Sequence, residues 1–261
     1  SRAKKFNVVN ENSARYIKIQ NNLINAFAED DRLLCIGTEA GLDVYDKNKK
    51  TTTHYNNIPG DPQSLSANPV YALHKDSQGM IWIGTWAGGL NRFDPATRSF
   101  KRFMADGKPG SISNGNIFTI LDDRKGSLWV GTIGGGLNRY DYKTGTFRNY
   151  INDFANPNGL HGDMVDHIFL TSSGKLYISV YNTLALYDYQ NDHFIHYPHD
   201  LNDSTGDFGN ILSIYEDSRK NIWIATNAGL EYFDEKNGSF HPVLTENQLP
   251  DNTIQGILED A

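Results

Sequence analysis

The fold of this chain is decided by one phrase, Ile81-Trp82-Ile83-Gly84-Thr85, which a short turn joins to Gly89-Leu90-Asn91-Arg92-Phe93-Asp94. The phrase returns 47 residues later as Leu128-Trp129-Val130-Gly131-Thr132, with Gly136-Leu137-Asn138-Arg139-Tyr140-Asp141 after its turn. Weaker copies occupy residues 34–38, 176–178 and 222–226. A period of this length is typical of a chain built from one supersecondary unit, whose apolar faces are buried by neighbouring copies.

Four positions of the repeat recur in register. The first apolar position holds Leu23, Val70, Ile117, Val165, Ile211 and Ile254. The acidic or polar position that follows holds Glu29, Asp76, Asp123, Thr171, Asp217 and Asp260. The large position of the next segment holds Cys35, Trp82, Trp129, Tyr177 and Trp223. The last position, mostly aromatic, holds Phe6, Thr53, Phe100, Phe147, Phe194 and Phe240.

Each repeat divides into four short strands separated by turns. In the second copy the strands are predicted at residues 70–74, 80–85, 90–94 and 99–103. Four antiparallel strands in each ~40–50 residues, repeated without helical periodicity, predict an all-β chain that folds as a β-propeller. Its five complete four-stranded blades are predicted at residues 23–57, 70–104, 117–151, 165–198 and 211–244. The recurring tryptophans are expected to pack between blades, and the glycine after each lets neighbouring backbones approach.

The two ends of the chain predict partial blades, with strands at residues 4–10 and 252–260. We therefore expect residues 1–261 to form one partial propeller domain, a fragment of a larger array. Open sheet edges seek partners, so a homodimer of the parent protein is a reasonable hypothesis.

Composition limits the functions open to the chain. Its 261 residues carry a net charge of −7, which argues against a nucleic-acid partner. No stretch reaches the ~20 apolar residues of a membrane span, so no membrane contact is predicted. The one cysteine, Cys35, stands at a tryptophan position and is interpreted as a small buried hydrophobe.

The repeated phrase, together with Gly60-Asp61-Pro62-Gln63-Ser64-Leu65-Ser66 ahead of Val70, resembles the two-component-regulator propeller repeat. This resemblance implies a periplasmic sensor region of a hybrid histidine kinase of the kind found in Bacteroides-type bacteria, with oligosaccharides as ligands. It also implies about seven blades for the larger array. The fourth copy departs most, with Ser179-Val180 in place of Gly-Thr and Leu184-Ala185-Leu186 in place of Leu-Asn-Arg. Nothing in the sequence resembles a kinase, so no enzyme activity is expected of this chain.

Ligand-binding residues are expected where the turns between second and third strands meet the loops between blades, since both open on one face. The turn positions are Glu39, Trp86, Ile133, Tyr181 and Asn227. Trp86 and Tyr181 suit stacking on the apolar faces of sugar rings, and the loop residues His161, Asp163 and Asn182 suit hydroxyl groups. Packing against a neighbouring blade is the competing interpretation of Trp86.

Arg92 and Arg139 share one register and suit an acidic sugar, which two guanidinium groups grip well. The competing interpretation pairs them with Asp94 and Asp141 within the blades. Recurrence itself favours the structural role, because a ligand rarely contacts all blades alike.

Metal and catalytic chemistry find little support in the sequence. His193, His196 and His199 are evenly spaced, but residues three apart on a strand point to opposite faces, so no metal or cofactor is predicted. The acids of the repeated turns are interpreted as solvated turn residues rather than a general acid and base. Two alternatives to a sensor stay open: a propeller enzyme of the lyase or glycosidase type, and a purely structural interaction propeller.

Overall fold

The computed structural model describes residues 17–181, 183–199, 210–244 and 253–260, and within them the chain is all β. Twenty strands form five antiparallel sheets of four strands each, with the strands of every sheet in chain order. We call these sheets blades 1 to 5. The predicted propeller architecture of five four-stranded blades is confirmed. No helix in the described residues is long and apolar enough to cross a membrane.

The strand bounds follow the repeat closely. Blade 1 contains β1 (Ile24–Glu29), β2 (Leu33–Thr38), β3 (Gly41–Asp46) and β4 (Thr51–Tyr55). Blade 2 contains β5 (Val70–Lys75), β6 (Ile81–Thr85), β7 (Leu90–Asp94) and β8 (Ser99–Phe103). Blade 3 contains β9 (Ile117–Asp122), β10 (Ser127–Thr132), β11 (Leu137–Asp141) and β12 (Thr146–Tyr150). Blade 4 contains β13 (Val165–Leu170), β14 (Leu176–Val180), β15 (Thr183–Asp188) and β16 (His193–Pro198). Blade 5 contains β17 (Ile211–Glu216), β18 (Ile222–Thr226), β19 (Gly229–Asp234) and β20 (Ser239–Leu244).

The chain divides into two compact units, and the prediction of one domain over residues 1–261 stays a prediction. The first unit contains residues 1–106 and 115–120, and the second contains residues 107–114 and 121–261. The first unit therefore carries blades 1 and 2 with the beginning of β9. The second carries blades 4 and 5 and most of blade 3.

In the first unit the glycine of the repeated phrase permits close packing. A Cβ atom on Gly84 would lie 2.5 Å from Cγ2 of Ile117, and one on Gly37 would lie 2.5 Å from Cγ1 of Val70. Glycine is needed here for space, because any larger side chain would push the facing strand away. Cys35 is fully buried in the core of blades 1 and 2, and burial raises the pKa of its thiol to about 12, as expected of a structural cysteine.

In the second unit the large residue of one blade packs against the next. Trp129 is fully buried, and its ring meets the edge of Tyr187 of blade 4 at 4.6 Å between centroids. Tyr177 of blade 4 meets Phe233 of blade 5 at 5.9 Å. Blade 4 replaces the usual glycine with Ser179, whose hydroxyl donates to the carbonyl of Ile211 at 2.8 Å. In this unit the predicted packing of the recurring tryptophans between blades is confirmed for Trp129, whereas Trp223 of blade 5 is only half-buried.

The interpretation of the repeated turn acids as solvated is wrong for Asp76 and Asp123, which are buried, whereas Asp217 is half-buried and Glu29 is exposed. Each indole nitrogen donates to the carboxylate six residues earlier, and the three pairs are Trp82 to Asp76 at 2.7 Å, Trp129 to Asp123 at 2.9 Å and Trp223 to Asp217 at 2.9 Å. The hairpin places the acid of the turn beneath the indole of the second strand, and a buried indole N–H needs an acceptor.

The two predicted terminal strands fare differently. Residues 4–10 and the first residue of 252–260 lie outside the described part of the chain. Residues 253–260 are described and form no strand, which corrects that prediction. The Ile254 amide donates to the Thr226 carbonyl at 2.9 Å, but residues 253–260 form no ladder with a neighbouring strand. Glu259 still accepts from the Ser218 amide at 2.8 Å, as Glu216 accepts from the Ser172 amide at 2.6 Å one repeat earlier.

Candidate functional site

Exposed aromatic residues gather in the first unit around the turn after β6. Trp86 begins this turn, and its amide donates to the Pro69 carbonyl at 3.0 Å, which fixes the turn beside the start of β5. Ala87 adopts a φ of 61° and Gly89 a φ of 75°, so the chain reverses tightly. The indole of Trp86 stays 41% exposed. The turn therefore presents a large aromatic surface to solvent.

Tyr71 and Phe118 extend this surface into a row of three rings, which we call the aromatic row. The centroid of the Tyr71 ring lies 5.6 Å from that of Trp86 and 6.1 Å from that of Phe118. Tyr71 and Phe118 are each the second residue of a first strand, β5 and β9. Phe118 is 36% exposed. Exposed aromatic rings in a row suit the stacking of sugar rings or other flat apolar groups.

Polar groups border the aromatic row. Glu39, at the turn after β2, accepts a hydrogen bond from the Asn25 side chain at 3.0 Å. The nearby Glu39 carboxylate, with a smaller effect of burial, raises the pKa of Tyr71. Tyr71 is therefore held as a neutral hydroxyl beside a carboxylate, a combination that can exchange hydrogen bonds with a hydroxylated ligand.

In the second unit the loop before blade 4 and the turn after β14 bring Tyr181, His161 and Asp163 together. Tyr181 is 43% exposed and adopts a φ of 52°. Its ring covers Gly162, where a Cβ atom would lie 2.5 Å from Cδ2 of Tyr181. Asn182 lies outside the described residues. His161 and Asp163 thus stand on either side of Gly162 in the chain, and Gly162 is the residue that Tyr181 contacts.

Asp163 is mainly a structural residue of this loop. Its carbonyl accepts from the amides of Gly134 and Gly136, both at 2.9 Å, and its carboxylate accepts from the Asn152 amide at 3.0 Å. These bonds hold the loop to the turn after β10. The Asn152 amide occupies one carboxylate oxygen of Asp163. The predicted role of Asp163 in ligand binding stays a prediction.

Arg92 and Arg139 each contact the tryptophan of their own blade. The Arg92 guanidinium lies 5.8 Å from the Trp82 ring centroid, and that of Arg139 lies 5.4 Å from the Trp129 ring centroid. Arg139 also donates to the Ser127 hydroxyl at 2.8 Å and to the Tyr187 hydroxyl at 3.1 Å. Cross-strand pairing explains the stacking, because Trp82 faces Arg92 in the register of β6 and β7. These contacts favour the structural interpretation, with stacking on the indole in place of the expected ion pair.

The three evenly spaced histidines have separate partners. His193 lies 3.6 Å from a carboxylate oxygen of Asp188, His196 contacts the Gly159 carbonyl at 2.8 Å, and His199 pairs with Glu231. Across the described residues no three His, Cys, Asp or Glu side chains converge to hold a metal ion. The histidines therefore act individually.

Asp166 was missed by the sequence reasoning. It is the second residue of β13, the register of Tyr71 and Phe118, and its Oδ2 is buried without a hydrogen-bond partner. Burial raises its pKa to about 6. The sequence could have indicated this position, because the residue that follows the first apolar position varies between repeats while the first apolar position itself is always aliphatic. The variable register holds Ile24, Tyr71, Phe118, Asp166, Leu212 and Gln255.

Three segments of the repeat match a known family. The model of the two component regulator propeller family matches residues 64–87, 111–134 and 205–228. The resemblance seen in the sequence is thereby confirmed for these segments. They are the segments that contain the hydrogen-bonded pairs of tryptophan and aspartate, whereas the corresponding parts of blades 1 and 4 carry Cys35 and Tyr177.

Three of the solved structures that share the fold are described as two bacterial extracellular domains and one bacterial surface component. The extracellular domain described as that of the hybrid two component system BT3049 from B. thetaiotaomicron superposes with a TM-score of 0.77 at 23% identity, over 96% of this chain and 32% of that one. The extracellular domain of BT4673 from the same organism superposes with a TM-score of 0.72 at 18% identity, over 92% of this chain and 32% of that one. PorZ, a surface component of the type-IX secretion system of Porphyromonas gingivalis, gives 0.65 at 14% identity, over 89% and 35%.

These structural similarities establish the fold of the chain. At such identities they carry the propeller architecture and no more. The chain spans about a third of the length of the structures that it matches. Among curated proteins no sequence relative is found.

Proposed function

We propose that the chain is part of the extracytoplasmic, periplasmic sensor propeller of a membrane-anchored hybrid two-component histidine kinase, and that it binds an oligosaccharide. The regulator-type repeats and the fold shared with extracellular domains of such systems support the sensor role. The aromatic row supports the ligand class, since Trp86, Tyr71 and Phe118 offer stacking surface beside the hydrogen-bonding Glu39. The aromatic row is the observation that carries the proposal.

Signalling in this proposal requires two arrangements of the parent protein with different affinity for the ligand. A ligand that binds both arrangements equally shifts nothing. We propose that the two arrangements are two geometries of a homodimer. Sedimentation of the parent sensor region with and without ligand tests this part, and a monomer at all concentrations would contradict it.

A binding experiment tests the ligand class. Binding of a panel of neutral and acidic oligosaccharides to the chain is measured by isothermal titration calorimetry, because its signal does not depend on the indole of Trp86. We expect one member of the panel to bind and Trp86→Ala to weaken that binding by about tenfold or more, the value of one stacked aromatic residue. Phe27→Ala is the matched control in the same unit, since Phe27 is an exposed aromatic residue outside the aromatic row.

The same panel separates the alternatives. Release of shorter sugars would indicate a propeller enzyme. Absence of any binding would contradict the sugar-sensing proposal and favour an interaction propeller. Equal binding by Trp86→Ala and the wild-type chain would remove the aromatic row from the site while leaving the sensor role intact.

A further inference from the structure

The loops that enter blades 2 and 3 are anchored by one repeated pair of residues. The amide of Ser66 donates to the Asn91 side chain at 3.0 Å, and that of Ser113 donates to the Asn138 side chain at 2.8 Å. Both asparagines are fully buried in the third strand of their blade. The serine and asparagine of the repeated phrase therefore fix each loop to the blade that it enters.

Blade 4 has lost both members of this anchor. His161 stands at the serine position and Ala185 at the asparagine position. Ala185 faces His196 across the ladder of β15 and β16, and its side chain is a single methyl group. His161 stacks on His196, with 3.9 Å between ring centroids and 3° between ring planes. A pair of imidazoles thus replaces the hydrogen bond of the other blades.

Hydrogen bonds complete the contact between the loop of residues 151–163 and β16. The Nε2 atom of His196 lies 2.8 Å from the Gly159 carbonyl, and that of His161 lies 3.0 Å from the Asn156 carbonyl. A carbonyl only accepts, so both Nε2 atoms carry the proton in the neutral rings. The Phe194 amide adds a bond to the Asn158 carbonyl at 3.0 Å.

The remaining nitrogen of His196 makes protonation costly. Its Nδ1 atom is buried and has no hydrogen-bond partner. A proton added there would place an N–H without an acceptor, and with His161 also charged two like charges would lie 3.9 Å apart between ring centroids. Burial, and to a smaller extent His161, lowers the pKa of His196, while the Gly159 carbonyl partly offsets them.

Few other ionisable groups surround the pair in the described residues. On the loop, Asp153 packs against Gly159, and the Asp163 carboxylate is engaged by the Asn152 amide. On β16, His193 is paired with Asp188, and on β15 the residue opposite His196 is alanine. Acid therefore acts on this contact mainly through the two imidazoles.

We propose that His161 and His196 form an acid-sensitive latch, which holds the loop of residues 151–163 on β16 at neutral pH and releases it when both rings are protonated. The loop also carries Asp163, whose carbonyl holds the turn after β10, and Gly162, which packs under Tyr181. Opening the latch loosens the candidate ligand surface of the second unit. The latch needs no ligand, so it stands apart from the proposed function.

Amide hydrogen exchange of the full chain tests the latch. Protection at Asp153, Gly159 and Phe194 is compared between about pH 7.5 and about pH 5, corrected for the intrinsic pH dependence of exchange. We expect these amides to lose protection by about tenfold or more at the lower pH, while amides of β14 keep theirs. Equal protection at both values would overturn the proposal.

Titration of the histidine ring protons by NMR provides a second test on the wild-type chain. We expect His196 to titrate below the ordinary histidine pKa of 6.5, and an equal or higher value for His196 would also overturn the latch. His161→Phe keeps a ring for stacking and removes the charge, so its loop protection should change by less than about twofold between the two pH values. His241→Gln is the control and should retain the wild-type pH response. A wild-type response in His161→Phe would contradict the proposal.

Discussion

Blades 3 and 5 carry the same phrase, yet their tryptophans end in different surroundings. Trp129 is fully buried, with Tyr187 and Tyr189 of blade 4 against its ring. Trp223 is half-buried and lines an open pocket of about 260 Å³ with Leu230 and Leu258. Both indoles make the same hydrogen bond to an aspartate of their own blade. The comparison teaches that the bond within a blade comes with the repeat, while burial depends on what covers the blade.

The largest expected effect comes from removing each indole. Trp129→Ala should lower the free energy of unfolding by about 3–5 kcal/mol, because it leaves a cavity between two packed blades. Trp223→Ala should cost less by roughly 1 kcal/mol, since part of its surface is already in water. Urea unfolding of both variants measures the difference. Equal losses would mean that burial between blades contributes little.

Removing the acceptor of each indole should have the next largest effect. Asp123→Ala leaves the buried Trp129 N–H unpaired and also frees the Ser127 amide, at an expected cost of about 1–3 kcal/mol. Asp217→Ala should fall at the lower end, because water can reach the half-buried Trp223. Urea unfolding measures both, and in a Trp129→Phe background Asp123→Ala should cost less than it does alone. The same cost in both backgrounds would deny the importance of the bond.

A smaller effect is expected at the loop anchor of blade 3. Asn138→Ala removes the acceptor of the Ser113 amide and should destabilise the chain by about 1 kcal/mol. Lys143→Ala is the control, because Lys143 is an exposed residue in the turn between β11 and β12 of the same blade. Thermal unfolding should separate the two variants. Similar melting temperatures for both would argue against the anchor.

The smallest expected effect is the pH dependence of stability that comes from Asp217, the acceptor of the Trp223 indole in blade 5. Burial opposes ionisation of Asp217, but hydrogen bonds from Trp223, Asn221 and the turn amides outweigh it and lower its pKa to about 2. A carboxyl whose pKa is lower in the folded chain stabilises it above the unfolded value of 3.8. That stabilisation should disappear as the pH falls from about 4 to about 2.

Asp217→Asn isolates this contribution to acid unfolding. The variant should be less stable than the wild-type chain at neutral pH and approach it near pH 2, because the protonated wild-type side chain has also lost its charge. Stability curves from urea unfolding at several pH values measure the gap. A gap that stays constant from neutral pH down to about pH 2 would refute the contribution of the charge.

The repeat made much of the fold predictable. Strict recurrence of aliphatic, aromatic and glycine positions predicted five four-stranded blades, buried Cys35 and the close approach at Gly84, since each depends on a pattern local to one unit. The role of Arg139 was harder to predict. Its stacking on Trp129 follows from the register of β10 and β11, which the turn between them sets.

The candidate site was predictable only in part. The sequence singles out Trp86 and Tyr181 because they differ from other copies of the turn, and their exposure is confirmed, while their role in a site stays a prediction. Tyr71 and Phe118 were missed, because they stand inside strands and their exposure depends on neighbouring strands. The pairing of His161 with His196 joins residues 35 positions apart, and it depends on the tertiary structure, in which the small Ala185 faces His196.

The sequence by itself determined the repeating unit, the propeller class and the residues that recur as scaffold, because period and register are properties of the chain. The tertiary structure decided which aromatic residues are buried and which face solvent, and which titratable groups meet. Burial and contact between distant residues depend on how one blade packs on the next, and that packing is not contained in any one repeat.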